Sequence, residues 1–449
     1  MSTQDDSLTL HTDLYQINMI YTYWQTGIHN TPVIFESYFR NYPFKNGYTI
    51  FSGLSHIIDY LKNIRFSQTD IDYLRSLNLY SEDFLIFLSN WQLSATIRSP
   101  YEGEVMFAHE PLIQVEGPLI DGQLLETALL NIINYQTLVA TKASRIVDIV
   151  NGDPLLEFGT RRAQELDAAL WGTRAAYIAG FDATSNVRAG KLFHIPVSGT
   201  HAHALVQAFK NDYEAFTAYA KTHKDVVFLI DTFDTLNSGI VNAIKVAQEF
   251  GSKINFKGVR IDSGDMVRLS KRIRLKLDEA GFPDAKIYAS NDLDEYAIAS
   301  LKHKGAAIDV WGVGTKLITA YDQPALGAVY KMVRIANENT IKLSDDIEKI
   351  STPGKKQIWR NNGQDIVGLS HENYSGEKLL HDIFVNGDLT YQEPSTEQVR
   401  DYKKMSLSKI SDNYKKLEVT DHYPVILSDS LKEQKVNIIN QVKNHIKEN

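Results

Sequence analysis

The chain predicts an α/β protein built around an irregular, incomplete β/α barrel, and three observations lead there. Short β-favouring runs in the middle of the sequence are each followed by a helical stretch, the alternation that a parallel sheet requires. Each run also ends in polar residues suited to chemistry. Leu155-Leu156-Glu157-Phe158-Gly159 runs into Thr160-Arg161-Arg162, Phe193 to Val197 into Ser198-Gly199-Thr200-His201-Ala202-His203, and Val226 to Ile230 into Asp231. Phe256 to Val259 delivers Arg260-Ile261-Asp262-Ser263-Gly264-Asp265, Ile287 to Ala289 delivers Ser290-Asn291-Asp292, and Val310-Trp311 delivers Gly312-Val313-Gly314-Thr315-Lys316. Parallel barrel strands bring their C-terminal ends to one mouth, so segments from Thr160 to Lys316 can line one pocket.

The remaining elements follow in order. Residues 8–30 read as a helix capped by Thr12 or Asp13, with Leu14, Ile17, Tyr21 and Trp24 on one face. Val33 to Phe39 and Tyr48 to Phe51 read as strands, and 54–64, 68–76 and 80–90 as helices. Between Leu93 and Leu119, β-rich runs punctuated by Pro100, Gly103, Pro111 and Gly117 fit a small antiparallel sheet. A long apolar helix from about Gly122 to Val150 leads into the barrel region. That region fades by Thr319; Tyr330 to Ile335 and Thr340 to Leu343 then read as strands and Pro353-Gly354-Lys355-Lys356 as a turn. Leu431, Lys435, Ile438, Ile439, Val442 and Ile446 trace the narrow stripe of a surface helix. The expected organisation is an N-terminal α/β domain over 1–140, the barrel over 141–345, and a C-terminal segment over 346–449 packing on both. Six or seven strand candidates fall short of a closed barrel's eight.

Composition narrows the function. At 449 residues the chain exceeds one ordinary core. Its 43% hydrophobic and 23% charged residues are those of a globular protein. No apolar run reaches the roughly 18 residues of a membrane span, and Met1 to Asp6 has neither a basic nor an apolar region, so a cytoplasmic location is expected. The absence of cysteine excludes disulfides, thiolate nucleophiles, iron–sulfur clusters and thiolate zinc sites. A net charge of −8 argues against nucleic acid as a partner. An anionic small molecule would then be held locally, by a few arginines, backbone amides or a metal.

Arg161, Arg162, Arg174 and Arg260 offer the planar fork that suits phosphate or carboxylate. For Arg174 a surface ion pair is the plainer reading; Arg161 and Arg260 directly follow strands. Gly312-Val313-Gly314-Thr315 has bare amides that can approach a phosphate, although a Gly-x-Gly turn is as often a tight corner. Ser198-Gly199-Thr200 has the same two readings. His201 and His203 lie at a strand end beside that turn, where a nucleophile or general base fits, and their spacing turns the rings apart once a helix begins. Local sequence does not choose between them, and no histidine spacing marks a zinc site. Asp231, Asp234, Asp262 and Asp265 can bind Mg²⁺ or cap helices: capping is the reading for Asp234 and Asp265, function for Asp231 and Asp262. Phe158 and Tyr15 can stack on a flat ring.

The segments Glu157 to Gln164, Pro196 to His203, Gly258 to Asp265 and Gly312 to Thr315 occur in the order seen in the nicotinate phosphoribosyltransferase family. The Thr12-Asp13-Leu14-Tyr15-Gln16 opening and the Pro353-Gly354-Lys355-Lys356 turn match too, so the chain resembles that family from about residue 8 to beyond 400. The resemblance implies an irregular α/β barrel joined to an α/β domain formed by the N-terminal part with C-terminal contributions. It implies a homodimer with shared sites that joins nicotinate to 5-phosphoribosyl-1-pyrophosphate, giving nicotinate mononucleotide and pyrophosphate in NAD salvage. ATP hydrolysis would drive the reaction through a phosphohistidine, with Mg²⁺ held through pyrophosphate or by Asp231 or Asp262. Phe158 would stack on one face of the pyridine and Tyr15 of the partner subunit on the other. Arg260 would sit by nicotinate and Asp262 by the ribose, with Ser198, Thr200 and Asp231 among the substrate contacts. Arg161, Gly312, Gly314 and Thr315 would hold the 5′-phosphate. His203 would be phosphorylated, because the family pattern Gly-Thr-x-Ala-His leaves His201 at the variable position. A related nicotinamide-using family carries an acid where this chain has Ser185, so a carboxylate substrate is expected here. The nicotinamide-using enzyme and an inactive sugar-phosphate-binding barrel are the competing readings.

Overall fold

The computed structural model describes residues 8–448 apart from 345, 347, 348 and 362. Two compact units emerge, one from residues 1–138 with 325–449 and one from 139–324. The expected barrel segment 141–345 thus contains a stretch, from Ala325 on, that belongs to the first unit. Val329–Ile335 explains why: it pairs antiparallel with Pro32–Tyr38.

The first unit is built on a seven-stranded sheet. From one edge its order is Glu338–Asn339, Val329–Ile335, Pro32–Tyr38, Ile113–Pro118, Thr96–Ser99, His381–Val385 and Asp388–Leu389. A four-stranded sheet carries Lys356–Asn361 and Gln364–Leu369 at its centre. The expected helices appear at Leu14–Gln25, Leu54–Asn63, Gln68–Ser76, Glu82–Ser89 and, at the C-terminus, Asp429–Glu448. The expected strand over Thr340 to Leu343 is absent; pairing stops at Glu338–Asn339.

The second unit holds six parallel strands: β1 (Leu155–Glu157), β2 (Ala183–Thr184), β3 (Asp225–Leu229), β4 (Asn255–Ile261), β5 (Lys286–Ser290) and β6 (Val310–Val313), in the order β2-β1-β6-β5-β4-β3. Helices including Glu165–Ala179, Asp212–Thr222, Ile240–Phe250, Met266–Glu279 and Glu295–His303 separate them. The expected strand over Phe193 to Val197 does not form. Val187–Phe193 is a helix that His194 terminates at φ 56°, and only Val197 reaches the sheet, bridging Thr184. The true second strand, Ala183–Thr184, has two residues, too few to show any period.

β4 contains a bulge. Val226 and Val227 of β3 face Phe256 and Gly258, leaving Lys257 extra. Gly258 has φ 146°, and a Cβ there would fall 1.9 Å from the Lys286 carbonyl oxygen, so β5 can lie alongside only because the side chain is missing.

Candidate active site

The parallel ladder aligns the strand ends, and polar side chains meet at that rim. Arg260, near the end of β4, donates from Nε to Thr200 Oγ1 at 3.1 Å, from Nη1 to Ser290 Oγ at 3.0 Å, and from Nη2 to the His201 carbonyl at 2.7 Å. All three acceptors are neutral. Burial lowers its pKa, with Arg161 pushing the same way against the pull of Asp262 and Asp231. Ser290 passes the contact on, donating to Asp262 Oδ1 at 2.9 Å. Asp231, just beyond β3, accepts on Oδ2 from the Asp262 amide and from Ser263 Oγ, both at 2.7 Å. Its Oδ1 is buried without a hydrogen-bond partner.

The two histidines separate clearly. His203 opens the short helix His203–Gln207; its Nδ1 lies 3.0 Å from Thr232 Oγ1, and its Nε2 is turned toward Asp231 Oδ1 at 4.0 Å and Asp262 Oδ2 at 3.8 Å. Its side chain is 39% exposed. His201 is only 8% exposed and packs against Tyr219 and Phe216. Its Nε2 accepts the Leu229 amide at 3.1 Å. Burial lowers its pKa to about 4, so the ring is neutral at ordinary pH.

The other side of the rim comes from β1, β2 and β6. Glu157 is buried; it accepts from the Gly159 amide, from Thr173 Oγ1 at 3.0 Å and from Thr184 Oγ1 at 2.6 Å. Burial raises its pKa, and these hydrogen bonds oppose the rise. They brace β1, β2 and the following helix together. Half-buried Phe158 lies against Gly312, where a Cβ would come 2.7 Å from two of its ring carbons. Gly312 therefore makes room for the ring, while Gly314 and Thr315 form the turn beyond β6. Arg161 is exposed in the Thr160–Arg162 turn. Ser185 is exposed just past β2, and Ser198 follows the Val197 bridge, donating its amide to Thr184 O at 2.9 Å.

Asp234 and Asp265 are caps: Asp234 accepts from the Leu236 and Asn237 amides, Asp265 from that of Arg268. Arg174 is buried against the rings of Trp171 and Phe193, 6.0 and 5.7 Å from their centroids, and not at the surface. Tyr15, on the first unit's helix Leu14–Gln25, is 49% exposed, which leaves its ring available. Sequence reasoning gave no role to Ser290, Thr232 or Glu157. The rule that strand ends carry the site already points at each of them.

No group of three or more metal-ligating side chains occurs among the described residues. Asp231 Oδ1 and Asp262 Oδ2 are two hard oxygens suited to Mg²⁺ that also has phosphate ligands.

Known proteins share this architecture. The family models of the nicotinate phosphoribosyltransferase N-terminal and C-terminal domains match residues 10–134 and 331–435. Nicotinate phosphoribosyltransferase of Bacillus subtilis (strain 168) is 52% identical, covering 99% of this chain and 98% of the relative. The chain belongs to the nicotinate phosphoribosyltransferase family. The Homo sapiens member is 31% identical over 94% of this chain and 95% of its own. The crystal structure of human nicotinic acid phosphoribosyltransferase superposes with a TM-score of 0.84 at 28% identity, covering 95% of this chain and 99% of that one. Nicotinate-nucleotide pyrophosphorylase from Pyrococcus furiosus shares the fold, with a TM-score of 0.74 at 22% identity over 91% of this chain and 97% of that one.

Proposed function

We propose that the protein joins nicotinate to 5-phosphoribosyl-1-pyrophosphate, forming nicotinate mononucleotide and pyrophosphate for NAD salvage in the cytoplasm. The observation that carries the reading is Arg260, a cation withdrawn from water whose hydrogen-bond acceptors are all neutral, within reach of the charge of Asp262 and Asp231. An unneutralised guanidinium suits a carboxylate ligand. In the reaction the pyridine nitrogen forms a bond to C1 of the ribose as the C1–oxygen bond breaks and pyrophosphate departs with the electron pair. The sugar passes through an oxocarbenium-like state, so Asp262 and Asp231 stabilise it electrostatically and no proton need move. Mg²⁺, when bound, offsets the charge of the leaving pyrophosphate, with Asp231 Oδ1 or Asp262 Oδ2 as its protein ligand.

Phe158 stacks on the pyridine, and Gly312 lets its ring sit there. Arg161 with the Gly314-Thr315 turn takes the 5′-phosphate, and Ser198 and Thr200 border the same pocket. Ser185 tolerates the nicotinate carboxylate where an acid would repel it. The protein acts as a homodimer in which the partner subunit's Tyr15 covers the second face of the pyridine. ATP phosphorylates His203, whose Nε2 is exposed to the site while Nδ1 is tied to Thr232; His201 is buried with Nε2 already engaged.

Purified protein is expected to convert nicotinate but not nicotinamide, with Mg²⁺; equal use of both would overturn the reading. His203→Ala should abolish ATP stimulation and His201→Ala retain most of it, and the reverse would move the phosphorylation site. Mixing Tyr15→Ala with Arg260→Ala should restore activity that neither has alone, and no restoration would count against shared sites.

A further inference from the structure

The parallel sheet is not closed: β3 forms one edge, and the Val197 bridge lies beside β2 at the other. A sheet edge presents backbone N–H groups that have no strand to bond. Leu229 of β3 shows how this edge is managed. β4 occupies the other side of the strand, where the Ile230 amide bonds to Arg260 O, and the Leu229 amide is taken by His201 Nε2. Val197 and His201 are four residues apart, a span of at most about 14 Å. One short segment therefore ties the two edges together.

That segment also carries two of the three acceptors of Arg260, the Thr200 hydroxyl and the His201 carbonyl. Residue 201 thus holds β3 with its ring and the substrate arginine with its backbone. We propose that His201 is a positioning residue, whose neutral ring replaces a missing strand at the edge of β3 and thereby fixes the carbonyl and hydroxyl that aim Arg260 at the substrate carboxylate. The choice of carboxylate ligand rests on the nicotinate reading above; the edge contact does not. The ring must stay unprotonated at Nε2, in keeping with its burial between Tyr219 and Phe216 and with Nδ1 turned to the Ala202 carbonyl at 3.4 Å.

A histidine that only filled space would be replaced adequately by phenylalanine, whereas an acceptor would not. Glutamine can place Oε1 near the position of Nε2. The test compares steady-state kinetics of the full-length protein and its His201→Phe and His201→Gln variants, with His201→Ala in reserve should His201→Phe not fold. Losing the acceptor should raise KM for nicotinate about tenfold while KM for phosphoribosyl pyrophosphate changes less than about twofold, and His201→Gln should recover most of the loss. Amide exchange at Leu229, read by mass spectrometry or NMR, should be slow in the wild type and His201→Gln and fast in His201→Phe. Unchanged nicotinate KM in His201→Phe, or His201→Gln as impaired as His201→Phe, would overturn the proposal. Wild-type protein inactive on nicotinate would sink the function proposed above, and exchange at Leu229 would still decide the edge contact.

Discussion

Arg260 in the second unit and Arg360 in the first are both withdrawn from water, yet their partners are opposite in kind. Arg260 is held by two hydroxyls and a carbonyl. Arg360 donates from Nε to both oxygens of Asp365 at 3.0 Å, from Nη2 to Asp365 Oδ2 at 2.6 Å, and from Nη1 to Glu104 Oε1 at 2.7 Å. Burial alone would weaken the charge on Arg360, but hydrogen bonds and charge from Asp365, with Glu110 and Glu104, more than reverse it. For Arg260 burial prevails and its pKa falls. The difference separates an arginine whose charge is used up inside the fold from one whose hydrogen-bond acceptors are all neutral, as the proposed carboxylate contact needs. Glu36 and Lys356 are also paired inside the first unit, at 2.6 Å, but there burial outweighs the pairing, lowering the pKa of the lysine and raising that of the glutamate.

The comparison can be broken by substitution. Arg360→Met would strand Glu104 and Asp365 in the interior, so a stability loss of about 3–5 kcal/mol is expected from the urea midpoint. A loss under about 1 kcal/mol would mean the cluster is not dry. Arg260→Gln should do the reverse, lowering kcat/KM for nicotinate at least about 100-fold with a stability change under about 1 kcal/mol. Collapse of the fold with activity retained in the folded fraction would erase the distinction.

The smallest expected effect at neutral pH comes from Glu110, which shares the Arg360 cluster. Its Oε2 accepts the Phe107 amide at 2.8 Å, and burial followed by the charge of Asp365 raises its pKa well above the usual carboxyl range. Three carboxylates, Glu104, Glu110 and Asp365, here face one guanidinium and the hydroxyls of Tyr402, Tyr423 and Ser406. A raised folded-state pKa gives stability that is complete below the ordinary carboxyl pKa and lost as pH rises through the folded value. Thermal melts should therefore show Glu110→Gln losing less stability than wild type as the pH rises above the ordinary carboxyl range. Parallel curves for the two proteins would remove Glu110 as the proton carrier.

Most of the rim was legible because each strand end advertises itself. Arg260, Asp262, Asp231 and the Gly312 to Thr315 turn follow β-rich runs directly, and parallel pairing brings them together. The seam was less legible. Phe193 to Val197 has strand-like composition, but the helix from Val187 runs through Phe193 and only Val197 pairs. The different fates of His201 and His203 depend on Leu229 and Thr232, which are distant in sequence. The link from Arg260 through Ser290 to Asp262 likewise exists only once β4 and β5 lie side by side. In the first unit, Glu104 and Arg360 are 256 positions apart, and nothing local to either announces the pair.

The bulge at Lys257 sets the phase of the rest of β4. Side chains alternate along a strand, so the one extra residue decides whether Arg260 or Ile261 turns to the side where Thr200 and Ser290 stand. Gly258 permits that offset by yielding its volume to the Lys286 carbonyl. Were Lys257 taken into the ladder opposite Val227 instead of bulging from it, every later residue would slip by one, presenting a greasy isoleucine at the mouth and sending the guanidinium into the helical layer behind. The pocket's taste for an acid is thus written upstream of its arginine, in the parity of a strand.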